Sequence, residues 1–231
     1  MRIYSTSNVI MIIFTLISIL LLVSCENRQE APMPPKEEGR QPTFNGTIIV
    51  AGDSLTEGMG VMEEQAWPAI LAKKLQDNGQ HWQVINAGIS GETSSGLLAK
   101  IRWILAQKPD VVILETGAND GLRGIPPSLI RKNIDSAVQM LQDANVTVVL
   151  AGMQIVQNLG PDYTNEFAAL YPSIAAERHC LLIPFFLKNV AGEPALNQAD
   201  TIHPNPQGHE IIAETVFPFV LQALQSHQGK E

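Results

Sequence analysis

Thr47-Ile48-Ile49-Val50-Ala51 runs directly into Gly52-Asp53-Ser54-Leu55-Thr56. The first half is short, rich in β-branched residues and stopped by a glycine, the pattern of a strand buried inside a sheet. The chain on either side decides which kind of sheet. Downstream, Trp67, Ile70, Leu71 and Leu75 recur at helical spacing. Trp82-Gln83-Val84-Ile85-Asn86 alternates weakly and stops at Gly88, a second strand. A helix over about Thr93 to Gln107 follows, with Leu97, Leu98, Ile101 and Ile104 on its inner face. Val111-Val112-Ile113-Leu114 is a third strand, ended by Gly117. Pro127 suits the first position of a helix, whose stripe is Ile130, Ile134, Val138 and Leu141. Val146 to Leu150 is a fourth strand, residues 163–178 are helical, Leu181 to Phe186 is a fifth strand, and Pro206 to about Leu224 is a closing helix. Five strands alternating with helices predict a three-layer α/β fold, a doubly wound parallel sheet with helices on both faces. In such sheets ligands sit beyond the carboxyl ends of the strands, near the switch in strand order.

Composition narrows the partners. The chain has 231 residues and a formal net charge of −8, with 45% hydrophobic and 16% charged residues. Its first 45 residues carry four basic and four acidic side chains, so the whole excess lies in the remainder. That remainder is large enough for one well-packed domain. Its acidity argues against nucleic acid, which needs clustered Lys and Arg, and against adhesion to anionic lipid by charge. A monomer is favoured, and no cofactor is expected.

The N-terminus reads as an address. Val9 to Val23 is apolar except for Thr15 and Ser18, shorter than the roughly 20 residues of a spanning helix. With Arg2 ahead of it, the segment reads as a secretory signal. Leu22-Val23-Ser24-Cys25 resembles the lipobox of bacterial lipoproteins, which implies that Cys25 is lipidated; the alternative is an uncleaved anchor. The expected division is a signal peptide over 1–24, a lipidated Cys25 with a Pro/Glu-rich tether over 25–45, and the domain over 46–231. Such a tether holds a domain on the order of 25 Å or more from the lipid. The expected location is therefore the bacterial envelope, lipid-anchored, with Glu26 leaning towards the outer membrane of a Gram-negative cell. Cys180 is then the only other thiol, read as a small core residue.

Four polar blocks fall at strand ends. They are Gly52-Asp53-Ser54-Leu55-Thr56, Gly88-Ile89-Ser90-Gly91-Glu92, Gly117-Ala118-Asn119-Asp120 and Asp200-Thr201-Ile202-His203-Pro204. Taken singly, Ser54 is also a helix cap, Asp53 a turn residue, Asn119-Asp120-Gly121 a turn and Asp200 with His203 a surface pair. Together, in this order, they resemble the SGNH or GDSL esterases and lipases, over about Thr47 to Leu224. The resemblance implies a flavodoxin-like SGNH hydrolase domain and a serine esterase. Ser54 would be the nucleophile, activated by a base that takes its proton during attack. His203 fits that base, since an imidazole's ordinary pKa near 6.5 suits neutral pH. Asp200 would fix the ring's tautomer and stabilise its cation. The backbone N–H groups of Ser54 and Gly91 and the Asn119 amide would form the oxyanion hole, as the resemblance implies. Asp53 is read as positioning the Ser54 loop, and Asp120 as a turn residue.

Other chemistries lack their signatures. His209-Glu210-Ile211-Ile212-Ala213 has no second His for a zinc protease helix, and no Gly-x-Ser-x-Gly elbow, phosphate loop or Gly-x-Gly-x-x-Gly occurs. His81, His179 and His227 have no acidic or cysteine partner at ligand spacing, so no metal site is expected. Ala66-Trp67-Pro68-Ala69, Gly121-Leu122-Arg123-Gly124 and Met153-Gln154-Ile155 look like the exported subgroup of arylesterases and multifunctional thioesterase/lysophospholipases. That likeness makes Leu122, Ile125 and Pro126 the expected apolar substrate contacts. Val156 stands where some relatives carry Arg, which removes a partner for an anionic group and argues against acyl-CoA. The preferred reading is a carboxyl esterase, lysophospholipids included and thioesters possible. The alternatives are a carbohydrate or peptidoglycan O-acetylesterase and a non-catalytic envelope lipoprotein.

Overall fold

The computed structural model describes residues 43–155 and 157–228. The proposed signal segment, Cys25, most of the tether and Val156 lie outside the described residues. Five parallel strands, β1 (Thr47–Gly52), β2 (Gln83–Gly88), β3 (Val111–Glu115), β4 (Thr147–Ala151) and β5 (Leu181–Ile183), form one sheet in the order β2-β1-β3-β4-β5. β1 is flanked by β2 on one side and β3 on the other, so strand order reverses between β1 and β3. The crevice above that reversal is where α/β sheets bind ligands.

Helices α1 (Ser54–Glu57), α2 (Trp67–Asp77), α3 (Ser94–Ala106), α4 (Ala118–Leu122), α5 (Pro127–Asp143), α6 (Pro161–Arg178) and α7 (Pro206–Gln228) connect and cover the strands. α2 packs on α7, while α5 packs between α3 and α6. Coverage on both faces explains why Ile48 to Ala51 and Val111 to Leu114 are apolar without alternation: all are fully buried. The predicted helical stripes hold, with Trp67, Leu71 and Leu75 on α2 and Ile130, Ile134, Val138 and Leu141 on α5 all fully buried.

β5 is shorter than its apolar run predicts. Pro184 has no N–H to extend the ladder with β4. The chain turns there, and Phe186 N–H returns to Gly152 O at 2.8 Å. Cys180 is half-buried against the core, and burial pushes its thiol up to about 11, so it stays protonated.

Candidate active site

The site begins where β1 ends. Asp53 caps α1, its Oδ1 accepting the Leu55 N–H at 2.9 Å, which presents Ser54 at the first helical position. Ser54 Oγ lies 2.9 Å from His203 Nε2, although the two residues are far apart in the chain. His203 Nδ1 lies 2.7 Å from Asp200 Oδ2. The other Asp200 oxygen accepts the N–H groups of Ile202 at 2.9 Å and His203 at 3.0 Å. Those two amides, with the ring, hold the Asp200 carboxyl down at about 2. One carboxylate thus folds the loop and orients the imidazole.

The loop between β5 and α7 has no strand neighbour, so it is held in other ways. Asn197 bridges Pro204, and Gln198 N–H donates to His203 O at 2.8 Å. The Gln198 side-chain amide then donates to Met59 O at 2.7 Å, just beyond α1. That bond ties the His203 loop to the Ser54 loop.

Asn119 arrives on α4. Its Nδ2 donates to Asp53 Oδ2 at 3.0 Å, so Asp53 aims the amide while bracing α1. Burial raises the Asp53 carboxyl from its ordinary value, opposed by hydrogen bonding to Leu55, Glu115 and Asn119 and by nearby His203. Asp120 is buried within α4, not in a bare turn. It accepts both the backbone N–H and the hydroxyl of Ser94 at 2.7 Å, anchoring α4 to the start of α3.

Ser54, Asn119 and His203 open into one cavity of about 500 Å³. Leu55, Leu122, Met153, Ile155, Phe185, Leu187 and Ile202 make its walls largely apolar. A serine–imidazole–carboxylate chain beside an apolar cavity is equipped for acyl transfer, its carboxylate end exposed at Asp200.

Residues 50–211 match the model of the GDSL-like lipase/acylhydrolase family. The chain belongs to this family. Membership makes it a serine hydrolase of ester bonds. Esterase TesA of Pseudomonas aeruginosa is 40% identical over 173 residues, 74% of this chain and 86% of that protein. Thioesterase 1/protease 1/lysophospholipase L1 of Escherichia coli K12 is 37% identical over 184 residues, 79% of this chain and 86% of that one. The crystal structure of psychrotrophic esterase EstA from Pseudoalteromonas sp., inhibited by monoethylphosphonate, superposes with a TM-score of 0.75. It is 34% identical and covers 78% of this chain and 100% of that chain.

Within this GDSL-family site, the residues named from sequence take different places. Leu122 lines the cavity; Ile125 and Pro126 are not among its lining residues. Ile125 packs against the core and its carbonyl accepts the Tyr163 hydroxyl, while Pro126 precedes α5 as its N-cap. Gly91 is also outside the cavity lining. It sits on the β2–α3 loop with a φ of +76°, a conformation that favours glycine. That loop is drawn to α1 by Glu57, which accepts Ser90 N–H at 3.1 Å, and Arg123 donates to Gly91 O at 3.1 Å. Lys100 braces the same loop through Glu92 and Ala87 O, both at 2.7 Å.

Sequence reasoning missed Glu57, Lys100, Glu115, Arg123 and Gln198. Two left a signal: Glu115, an acid at the end of an otherwise apolar buried strand, and Arg123, inside the quoted Gly121-Leu122-Arg123-Gly124 block though given no role. Among the described residues, no three His, Cys, Asp or Glu side chains converge to hold a metal. His227 does gain an acidic neighbour that spacing along the chain conceals, with Nε2 3.5 Å from Asp110 Oδ1.

Proposed function

We propose that the protein hydrolyses carboxyl esters with an apolar acyl group, lysophospholipids included, through Ser54, His203 and Asp200. The observation that carries this reading is the 2.9 Å Ser54–His203 contact, backed by Asp200 and opening into an apolar cavity. Ser54 Oγ attacks the ester carbonyl as its proton passes to His203 Nε2. The tetrahedral oxyanion is met by the Ser54 N–H and the second hydrogen of the Asn119 amide, both at the cavity wall, with the Gly91 N–H on the adjoining loop as the third donor that the family likeness implies. On collapse, His203 returns the proton to the leaving alcohol and an acyl-Ser54 ester remains. Water, deprotonated by His203, attacks that ester, and His203 hands the proton to Ser54 Oγ as the acid leaves, restoring the hydroxyl and the neutral ring. Throughout, the Asp200 carboxylate faces the ring cation that forms in each half-reaction.

The apolar walls support an acyl chain longer than acetate, and the name of the Escherichia coli relative supports a lysophospholipid. The Leu22-Val23-Ser24-Cys25 sequence supports lipidation at Cys25 and a place on the envelope membrane, beside such substrates. Hydrolysis of p-nitrophenyl esters from acetate upward, by wild type and Ser54→Ala, tests the reading. Expected are a kcat/KM that rises beyond acetate and a loss of about 10⁴-fold or more in Ser54→Ala. Strict acetate use would support deacetylation instead, and rates indifferent to Ser54→Ala would leave a non-catalytic lipoprotein.

A further inference from the structure

The ladder between β1 and β3 ends at the pair Ala51↔Leu114. Beyond it, β1 turns up into the Ser54 loop, and Glu115 continues β3 by pairing with Ala151 of β4 on its other side. No strand pairing spans the gap where Ser54 and Asn119 must stay in register. The Glu115 side chain does. It is fully buried, and its Oε2 accepts Asp53 N–H at 3.1 Å and the Thr56 hydroxyl at 2.9 Å. These two donors bracket Ser54 in sequence. Gly52 leaves the carboxyl its room: a Cβ there would stand 2.5 Å from Glu115 Oε2 and closer still to Thr56 Oγ1.

We propose that Glu115 is a positioning residue of this active site, setting the height of the Ser54 loop and, through Asp53, the aim of the Asn119 amide. The proposal rests on the acyl-transfer reading above. Glu115 touches neither substrate nor the reacting atoms; its effect passes through Asp53, whose main chain it holds and whose carboxylate orients Asn119. Burial, then the neighbouring Asp53 charge, pushes the Glu115 carboxyl well above its ordinary value. Its Oε1 is buried without a hydrogen-bond partner among the described residues, the surroundings of a neutral acid. Glutamine is therefore its nearest mimic, since an amide oxygen can accept the same two donors. Leucine fills similar space and accepts neither.

The test compares wild type, Glu115→Leu, Glu115→Gln and Ser54→Ala. A p-nitrophenyl alkylphosphonate, which bonds covalently to the nucleophile, counts competent sites by its burst. Turnover of p-nitrophenyl butyrate is then expressed per titrated site. Glu115→Leu should keep its far-UV circular dichroism and its KM within about twofold, and lose about tenfold or more in kcat per site, since misaiming a donor forfeits part of its worth. Glu115→Gln should recover to within about threefold of wild type, as its retained acceptor predicts. Wild-type kcat per site in Glu115→Leu would overturn the proposal, because loss of folded enzyme changes the burst and not the per-site rate. Failure of Glu115→Gln to recover would overturn it too. If Glu115→Leu does not fold, Gly52→Ala displaces the same carboxyl from the other strand and must show the same per-site loss. Ser54→Ala separates the two claims: turnover surviving in that variant sinks the active-site reading itself.

Discussion

His209 gives the sharpest stability test. It sits on the first turn of α7, 1% exposed, with Nδ1 accepting the Trp67 N–H at 3.3 Å. That bond requires an unprotonated Nδ1, so the folded chain favours the neutral ring. Burial, with the neighbouring His203, lowers its pKa from 6.5 to about 4. In the unfolded chain the ring takes up a proton near 6.5. Between those values the unfolded state binds more protons, so stability falls as pH falls across the window. The contribution is intact above about pH 6.5 and fully lost below about pH 4, a change of about 3 kcal/mol at about 1.4 kcal/mol per pH unit. Urea unfolding of wild type and His209→Gln at pH 8, 6.5, 5 and 4 measures it. The other titrating groups cancel in the difference between the two proteins, which should shift by about 3 kcal/mol against wild type on acidification. A difference that stays constant with pH would refute the argument, whatever the absolute stabilities.

Three predictions concern Asn119 and Asp200. Asn119→Ala should lower kcat about 100- to 1,000-fold with KM little changed, as measured on p-nitrophenyl butyrate; an unchanged kcat would remove Asn119 from the oxyanion hole. Asp200→Asn should cost on the order of 10⁴-fold in kcat by leaving the imidazole in the wrong tautomer, with the thermal midpoint monitored alongside. Because its carboxyl is held at about 2, wild-type activity lost between pH 4 and 6 cannot come from protonating Asp200, and a kcat/KM profile that follows the Asp200 carboxyl there would contradict the structure.

The sheet was legible because central strands and amphipathic helices obey different periods. Ile48 to Ala51 and Val111 to Leu114 are apolar on both faces, while Ile130, Ile134, Val138 and Leu141 repeat on one. The short elements were not: α1 and α4, at four and five residues, span too few turns to show a period, so taken singly Ser54 also fitted a cap and Asn119 a turn. Ser54, His203, Asp200 and Asn119 stood out as polar residues where buried strands stop. Their supports did not. Glu57, Arg123 and Gln198 act through main-chain atoms on distant loops, bonds that no spacing along the chain predicts. The subgroup likeness made Ile125 an expected wall of the cavity, yet the turn after α4 carries it against the core.

Topology explains why so much polar support gathers here. A crevice opens above β1 and β3 because the chain leaves neighbouring strands in different directions. Main-chain bonds cannot close it without filling the space that a substrate needs. Side chains must span it instead, and Asp53, Glu115 and Asn119 do so on the Ser54 side. On the His203 side, the loop after β5 pairs with itself and reaches across by Gln198. The hydrogen-bonded ladder sets the distance between strands, but these ties set the angle of the hydroxyl and the amide. A chain with the same core and other residues at positions 53, 115, 119 and 198 would keep the sheet and lose the alignment. Function on this fold is therefore written in a few side chains above the strand ends.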